Sequence, residues 1–72
     1  MNLLINGQSR DFPKLSSSAT VQDLLNALAL KADRIAVEHN GSIVSRTAWP
    51  ATPISDGDKF EIVHFVGGGS AQ

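Results

Sequence analysis

Two Asn-Gly pairs constrain the fold of this sequence more than any other feature. Asn6-Gly7 directly follows the apolar run Leu3-Leu4-Ile5. Asn40-Gly41 separates Ile35-Ala36-Val37-Glu38 from Ser42-Ile43-Val44. A type I′ turn needs a positive φ at both central positions, which asparagine and glycine tolerate best. The sequence therefore predicts two β-hairpins, one at each pair.

The segment between the hairpins has the pattern of a helix. Four apolar residues recur at spacings of three and four and so share one helical face: Val21, Leu24, Leu25 and Leu28. Thr20 has a side chain suited to an N-cap, and Asp23 is placed three residues later to complete a capping box. We therefore predict one helix that begins after Thr20 and packs its apolar face on a sheet.

The remainder of the chain is expected to be irregular at first and then to form the longest strand. Residues 45–49 have room for one helical turn before Pro50, and Trp49 is predicted to cover the edge of the core. The turn Asp56-Gly57-Asp58 leads into residues 59–66, which we place at the centre of the sheet. A right-handed crossover makes this strand a parallel neighbour of the first.

This order of elements predicts an α+β fold of the ubiquitin-like β-grasp kind, a mixed sheet of about four to five strands with one main helix packed on one face. Residues 1–66 form the predicted domain, and residues 67–72 a flexible glycine tail. Alternation along the strands turns six apolar side chains toward the helix: Leu3, Ile5, Val37, Val44, Phe60 and Ile62. It turns Leu4, Val63 and Phe65 to the other face, which we predict to be a docking surface.

Composition excludes several kinds of function. Because none of the 72 residues is cysteine, the chain has no disulfide, no thiolate zinc site and no cysteine nucleophile. Six basic and seven acidic residues give a formal net charge of −1, which argues against nucleic acid as a partner. The first apolar run is too short for a signal peptide or a membrane span. We predict a cytoplasmic protein with no nucleic-acid or membrane partner.

The residue types that most often form active sites do not make a recognisable pattern. His39 and His64 have no carboxylate or cysteine partner at ligand spacing, so we interpret both as structural rather than metal-binding. Asp56 and Asp58 are interpreted as turn residues, because no further oxygen ligands follow in the order of a calcium loop. The sequence thus predicts no catalytic residue and no metal site.

The last six residues of the sequence, Gly67-Gly68-Gly69-Ser70-Ala71-Gln72, follow the final strand directly. A phosphate-binding loop is excluded, because neither a helix nor a lysine follows the glycines. On composition alone, this segment is either a flexible linker or a tail with a function of its own.

Nearly the whole chain resembles the ThiS-type sulfur carrier proteins of thiamine biosynthesis, which are relatives of the MoaD and ubiquitin-like β-grasp proteins. The resemblance rests on residues 1–7, 20–25 and 37–46, and continues through Trp49 and residues 56–58 to residues 62–69. In that family, a partner enzyme uses ATP to adenylate the carboxylate of the last glycine. The activated carboxylate becomes a thiocarboxylate, which donates sulfur for the thiazole ring.

The resemblance implies a protein substrate and sulfur carrier rather than an enzyme. Gly69 would hold the sulfur as a thiocarboxylate, and Gly67 and Gly68 would lie in a channel of the partner. The implied partners are a ThiF-like adenylating enzyme, a ThiG-like thiazole synthase and a sulfur donor such as a cysteine desulfurase. ATP is used by the adenylating enzyme, and no cofactor is bound permanently to the carrier. An internal amide cannot be adenylated, so either a protease removes Ser70-Ala71-Gln72 in the cell or this form of the chain is inactive.

Two alternative functions remain open on the sequence. A MoaD-like carrier, or a carrier for another pathway, would have the same glycine tail and a different final sulfur acceptor. A β-grasp interaction module would have the same fold and no carrier function. A thiocarboxylate assay separates both kinds of carrier from the interaction module.

Overall fold

The chain folds as a five-stranded mixed sheet with a helix on one face, as a computed structural model of residues 1–30 and 34–65 shows. The elements in chain order are β1 (Asn2–Ile5), β2 (Gln8–Asp11), α1 (Val21–Ala27), β3 (Ile35–His39), β4 (Ser42–Val44), a 3₁₀ helix (Arg46–Ala51) and β5 (Lys59–His64). The strand order is β2-β1-β5-β3-β4, with β5 parallel to β1 and antiparallel to β3. The predicted α+β fold, with a parallel first and last strand, is confirmed.

Both predicted hairpins are present, with the predicted turn residues. The φ angles are 49° and 83° in Asn6-Gly7, and 50° and 88° in Asn40-Gly41. Positive values at both central positions are what a type I′ turn requires. The polar strand β2 lies at one edge of the sheet and is exposed along its whole length, as expected for an edge strand.

The two turn asparagines also bond to the backbone of the central strand. The Asn6 side chain donates to the Ile62 carbonyl at 3.1 Å and accepts from the Ile62 amide at 2.7 Å. The Asn40 side chain accepts from the Lys59 amide at 2.8 Å. Each hairpin is thereby fixed in register with β5 by a side chain from its own turn.

The N-terminal end of α1 confirms the predicted capping box. The Thr20 hydroxyl accepts from the Asp23 amide at 3.3 Å, and the Asp23 carboxylate accepts from the Thr20 amide at 2.9 Å. The helix ends at Ala27, because Leu28, the last residue of the predicted apolar face, forms its C-cap.

The C-terminal end of α1 is a Schellman motif in which alanine occupies the position usual for glycine. The Ala29 amide donates to the Asn26 carbonyl and the Leu30 amide to the Leu25 carbonyl, each at 3.0 Å. The φ of Ala29 is 58°. In this left-handed conformation the Cβ of an L-residue is crowded, whereas glycine adopts it without strain.

Replacing Ala29 with glycine is expected to raise the free energy of unfolding by about 0.5–1 kcal/mol. The left-handed conformation costs an L-residue roughly 1–2 kcal/mol, and the greater unfolded-state entropy of glycine offsets part of the gain. Urea unfolding measures the change as a shift of the midpoint at constant slope. Ala27→Gly, at the last residue of the helix, is the control and should lower the stability by at most about 0.5–1 kcal/mol. A less stable Ala29→Gly variant would contradict this role of the motif.

The core lies between α1 and the sheet and contains the residues that alternation predicts. Leu3, Ile5, Val37, Phe60 and Ile62 are buried, and the partly buried Val44 packs against them. The helix adds its own buried face, formed by Val21, Leu24 and Leu25.

The predictions for Trp49 and Pro50 were wrong. Trp49 lies inside the core with 1% of its surface exposed, and its indole Nε1 donates to the Val44 carbonyl at 3.0 Å. The 3₁₀ helix also continues through Pro50 to Ala51, where the sequence suggested irregular chain. Proline fits this helix because its fixed φ lies within the 3₁₀ range. The 3₁₀ helix places the indole of Trp49 in the core, and the hydrogen bond to the Val44 carbonyl satisfies its one polar atom.

The last strand lies where the sequence predicts it, but it is shorter than predicted. β5 ends at His64 rather than at residue 66, although the Phe65 amide still donates to the Arg34 carbonyl at 2.7 Å. Val66 and the predicted tail, residues 67–72, lie outside the described residues. Phe65 therefore marks the point from which the tail departs.

Candidate functional site

The sheet face opposite α1 is the candidate site, and we call it the open face. Three large apolar residues are exposed on it, with 71% of the surface accessible for Ile43, 56% for Val63 and 55% for Phe65. All other large apolar residues of the described chain are buried or partly buried. Exposed apolar side chains grouped on one face are typical of a protein-docking surface.

The structure brings together two of the three residues predicted for docking. Val63 lies in β5 and Phe65 directly follows the strand, with its amide still bonded to the Arg34 carbonyl, so the two side chains lie on the same side of the chain. Leu4 is on the same face but is half-buried and pairs with Lys59 at the start of β5. At about 3.3 Å per residue, the four positions from Lys59 to Val63 separate Leu4 from Val63 by about 13 Å.

Ile43 belongs to the open face and was missed by the sequence analysis. It lies on β4, directly opposite Glu38 of β3. Alternation could have found it, because its neighbour Val44 was correctly assigned to the helix side and adjacent strand residues point to opposite faces.

Two carboxylates lie between the exposed apolar residues. Glu38 of β3 is directly opposite Glu61 of β5, and both are partly buried. Within residues 1–30 and 34–65, neither glutamate forms an ion pair with a lysine or arginine. Side chains directly opposite each other have Cβ atoms about 4.5–5.5 Å apart, so two like charges there destabilise the sheet.

His39 has a carboxylate partner that its sequence spacing did not reveal. Its Nε2 lies 2.7 Å from Oδ2 of Asp58, and its ring stacks on Phe60 with the centroids 4.7 Å apart. Burial acts to raise the pKa of Asp58, but hydrogen bonds, first from His39 and then from the Ser55 amide, outweigh it and lower the pKa below its ordinary value of 3.8. The pair ties β3 to the loop before β5, which agrees with a structural role.

The other polar residues considered in the sequence do not gather into a reactive centre. The Asp56 carboxylate accepts from the Asn2 amide at 2.6 Å, and Gly57 has a φ of 89°, so this segment is the predicted turn. His64 is exposed at the end of β5. Among the residues that the structure describes, no three His, Asp or Glu side chains are grouped as metal ligands. No described helix is long and apolar enough to cross a bilayer.

Three of the residues predicted for the site belong to the glycine tail. Gly67, Gly68 and Gly69 lie outside the described residues, and so does the segment Ser70-Ala71-Gln72. What the structure supplies is their starting point, Phe65, at the margin of the open face.

Comparison with known proteins gives consistent results for sequence family and fold. The model of the ThiS family matches residues 3–69. A sulfur carrier protein ThiS of Bacillus subtilis is 37% identical over 67 residues, which cover 93% of this chain and 98% of that protein. A crystal structure of the thiamine biosynthesis protein (ThiS) from Geobacter metallireducens has a TM-score of 0.82 and 40% sequence identity, covering 96% of this chain and 100% of that one.

Some relatives are much longer than this chain. A thiazole synthase of Paramagnetospirillum magneticum is 46% identical over 72 residues, which are 100% of this chain and 21% of that protein. A thiazole synthase of Magnetococcus marinus is 33% identical over 69 residues, or 96% of this chain and 20% of that protein. The chain thus spans about a fifth of the length of these two relatives.

Proposed function

Because this chain belongs to the ThiS family, we propose that it is a sulfur carrier for thiamine biosynthesis and acts as a protein substrate rather than as an enzyme. The observation that carries the proposal is the family match over residues 3–69, which spans the domain and reaches Gly69. The exposed apolar residues of the open face support it, since a carrier must dock on the enzymes that load and unload it.

The proposed position of the sulfur is the carboxyl carbon of Gly69. An oxygen of the free carboxylate attacks the α-phosphate of ATP, and pyrophosphate leaves. Hydrosulfide then displaces AMP from the acyl carbon and leaves a thiocarboxylate. Where the sulfur arrives as a persulfide, the attack first gives an acyl disulfide, and a thiol cleaves its S–S bond to release the thiocarboxylate and a disulfide. The peptide bond from Gly69 to Ser70 must be hydrolysed by a protease before the first step, since its carbonyl has no second oxygen. Gly67 and Gly68 have no Cβ, which suits passage through a narrow channel.

Three partner proteins follow from this chemistry. A ThiF-like adenylating enzyme binds ATP and docks on the open face, where Val63 and Phe65 form the main contact and Leu4 lies at its margin. A ThiG-like thiazole synthase receives the sulfur, and the names of two longer relatives support this partner. A donor such as a cysteine desulfurase supplies the sulfur. The carrier itself holds no permanent cofactor.

The intact mass of the protein recovered from its own cells tests the proposed function. We expect a form that ends at Gly69, with part of it carrying one sulfur in place of one oxygen. Deletion of the adenylating enzyme is the control and should remove the sulfur-containing form while leaving the trimmed one. A protein that retains Ser70-Ala71-Gln72 and never contains sulfur, even in cells starved of thiamine, would contradict the proposal.

A further inference from the structure

The Glu38–Glu61 pair is a feature of the open face that the fold does not require. These are the only two glutamates in the sequence, and the register of β3 and β5 sets them directly opposite each other. Like charges directly opposite each other are destabilising in sheets, so we expect the pair to lower the stability of the free protein. A neutral side chain at either position would avoid this repulsion. The pair is therefore expected to serve an interaction with another molecule.

The surroundings of the pair combine charge with apolar surface. Ile43, Glu38 and Glu61 form one row across β4, β3 and β5. Val63 is the next residue of β5 on the same face, so the carboxylates lie between two exposed apolar side chains. Lys59, two residues before Glu61, is the nearest cation along the strand, and it forms no ion pair with either glutamate in the described structure. Apolar neighbours exclude water on docking and strengthen a charge interaction.

We propose that the open face binds a partner surface that places an arginine side chain between Glu38 and Glu61. The guanidinium group is planar and has five N–H donors, so it can bond two carboxylates at once. Its stem and flat faces also pack against apolar side chains, here Ile43 and Val63. The bound arginine removes the repulsion between the glutamates, so the free energy that the pair costs the free protein is recovered in the complex. This inference rests on the proposed function, because its partner is the adenylating enzyme.

The test is the affinity of the adenylating enzyme for the full chain, measured by calorimetry at low and high salt. The double variant Glu38→Gln/Glu61→Gln is expected to bind at least about tenfold more weakly at low salt, since it removes a partly desolvated charge contact. It should also lose most of the salt dependence of the wild-type affinity. Asp11→Asn is the control for the loss of a carboxylate charge as such. It removes one exposed charge from the same face, at the edge strand β2, and should change Kd less than about twofold.

Thermal unfolding of the free variants separates binding from folding. The double variant should unfold at the same temperature as the wild type or higher, because the repulsion is gone. A double variant that is less stable would overturn the inference, since the pair would then support the fold. Wild-type affinity in the double variant would overturn the arginine site and leave the sulfur-carrier function standing. Failure of the wild-type chain to bind any adenylating enzyme from its own cell would overturn both.

Discussion

A chain that ends at Gly69 is expected to form an acyl-adenylate with ATP and the adenylating enzyme, whereas the full 72-residue chain is expected not to react. The two chains should differ completely in adenylation, because the reaction needs a free carboxylate oxygen at Gly69. Pyrophosphate release measures the first step. With sulfide added, intact mass should show one oxygen replaced by sulfur in the truncated chain alone.

Two matched variants separate the requirement for a free carboxylate from the requirement for Gly69. A chain ending at Ser70 has its free carboxylate one residue beyond Gly69 and should react poorly. A truncated chain carrying Gly69→Ala has the carboxylate in place but adds a Cβ beside the reacting carbon, and it should also react poorly. If the full chain is adenylated as readily as the truncated one, the assignment of Gly69 is wrong. If neither reacts with any adenylating enzyme of its cell, the interaction-module alternative is favoured.

Trp49→Ala is expected to cost about 3–5 kcal/mol, the usual range for removing a large buried aromatic side chain. A core of this size rarely supplies more than about 3–5 kcal/mol of net stability, so the variant should be largely unfolded at 25 °C. Trp49 is among the largest fully buried side chains, and its removal also leaves the Val44 carbonyl without its indole donor. Far-UV circular dichroism in a urea titration measures the loss.

Trp49→Phe is the control for the indole. It keeps most of the ring volume and removes the bond to Val44, so it should remain folded with a smaller loss, on the order of 1–3 kcal/mol. An alanine variant with a urea midpoint near that of the wild type would show that Trp49 does not support the core.

The parts of the fold that could be predicted from the sequence depend on neighbouring residues. The positive φ angles at Asn6-Gly7 and Asn40-Gly41, and the capping box of Thr20 and Asp23, are local requirements that the residue types satisfy by themselves. The parallel placement of β1 and β5 followed from one further rule, the handedness of the crossover. Strand alternation then correctly divided the apolar residues between the two faces.

The parts that could not be predicted depend on which distant segments meet. The bond between His39 and Asp58 joins residues 19 positions apart, and no spacing rule indicates it. The pairing of Glu38 with Glu61 requires the exact register of β3 and β5, which a shift of one residue would abolish. Sequence patterns therefore indicated Val63 and Phe65 on the open face but neither Ile43 nor the two central carboxylates.

The bonds from Asn6 and Asn40 to β5 have a consequence for the delivery of the C-terminal glycine. Since both hairpins hold β5 in a fixed register, Phe65 keeps one position on the domain. Four residues lead from Phe65 to Gly69 and span at most about 14 Å when fully extended. On the proposed docking mode, the adenylating enzyme that binds the open face must therefore hold its ATP within about 14 Å of Phe65.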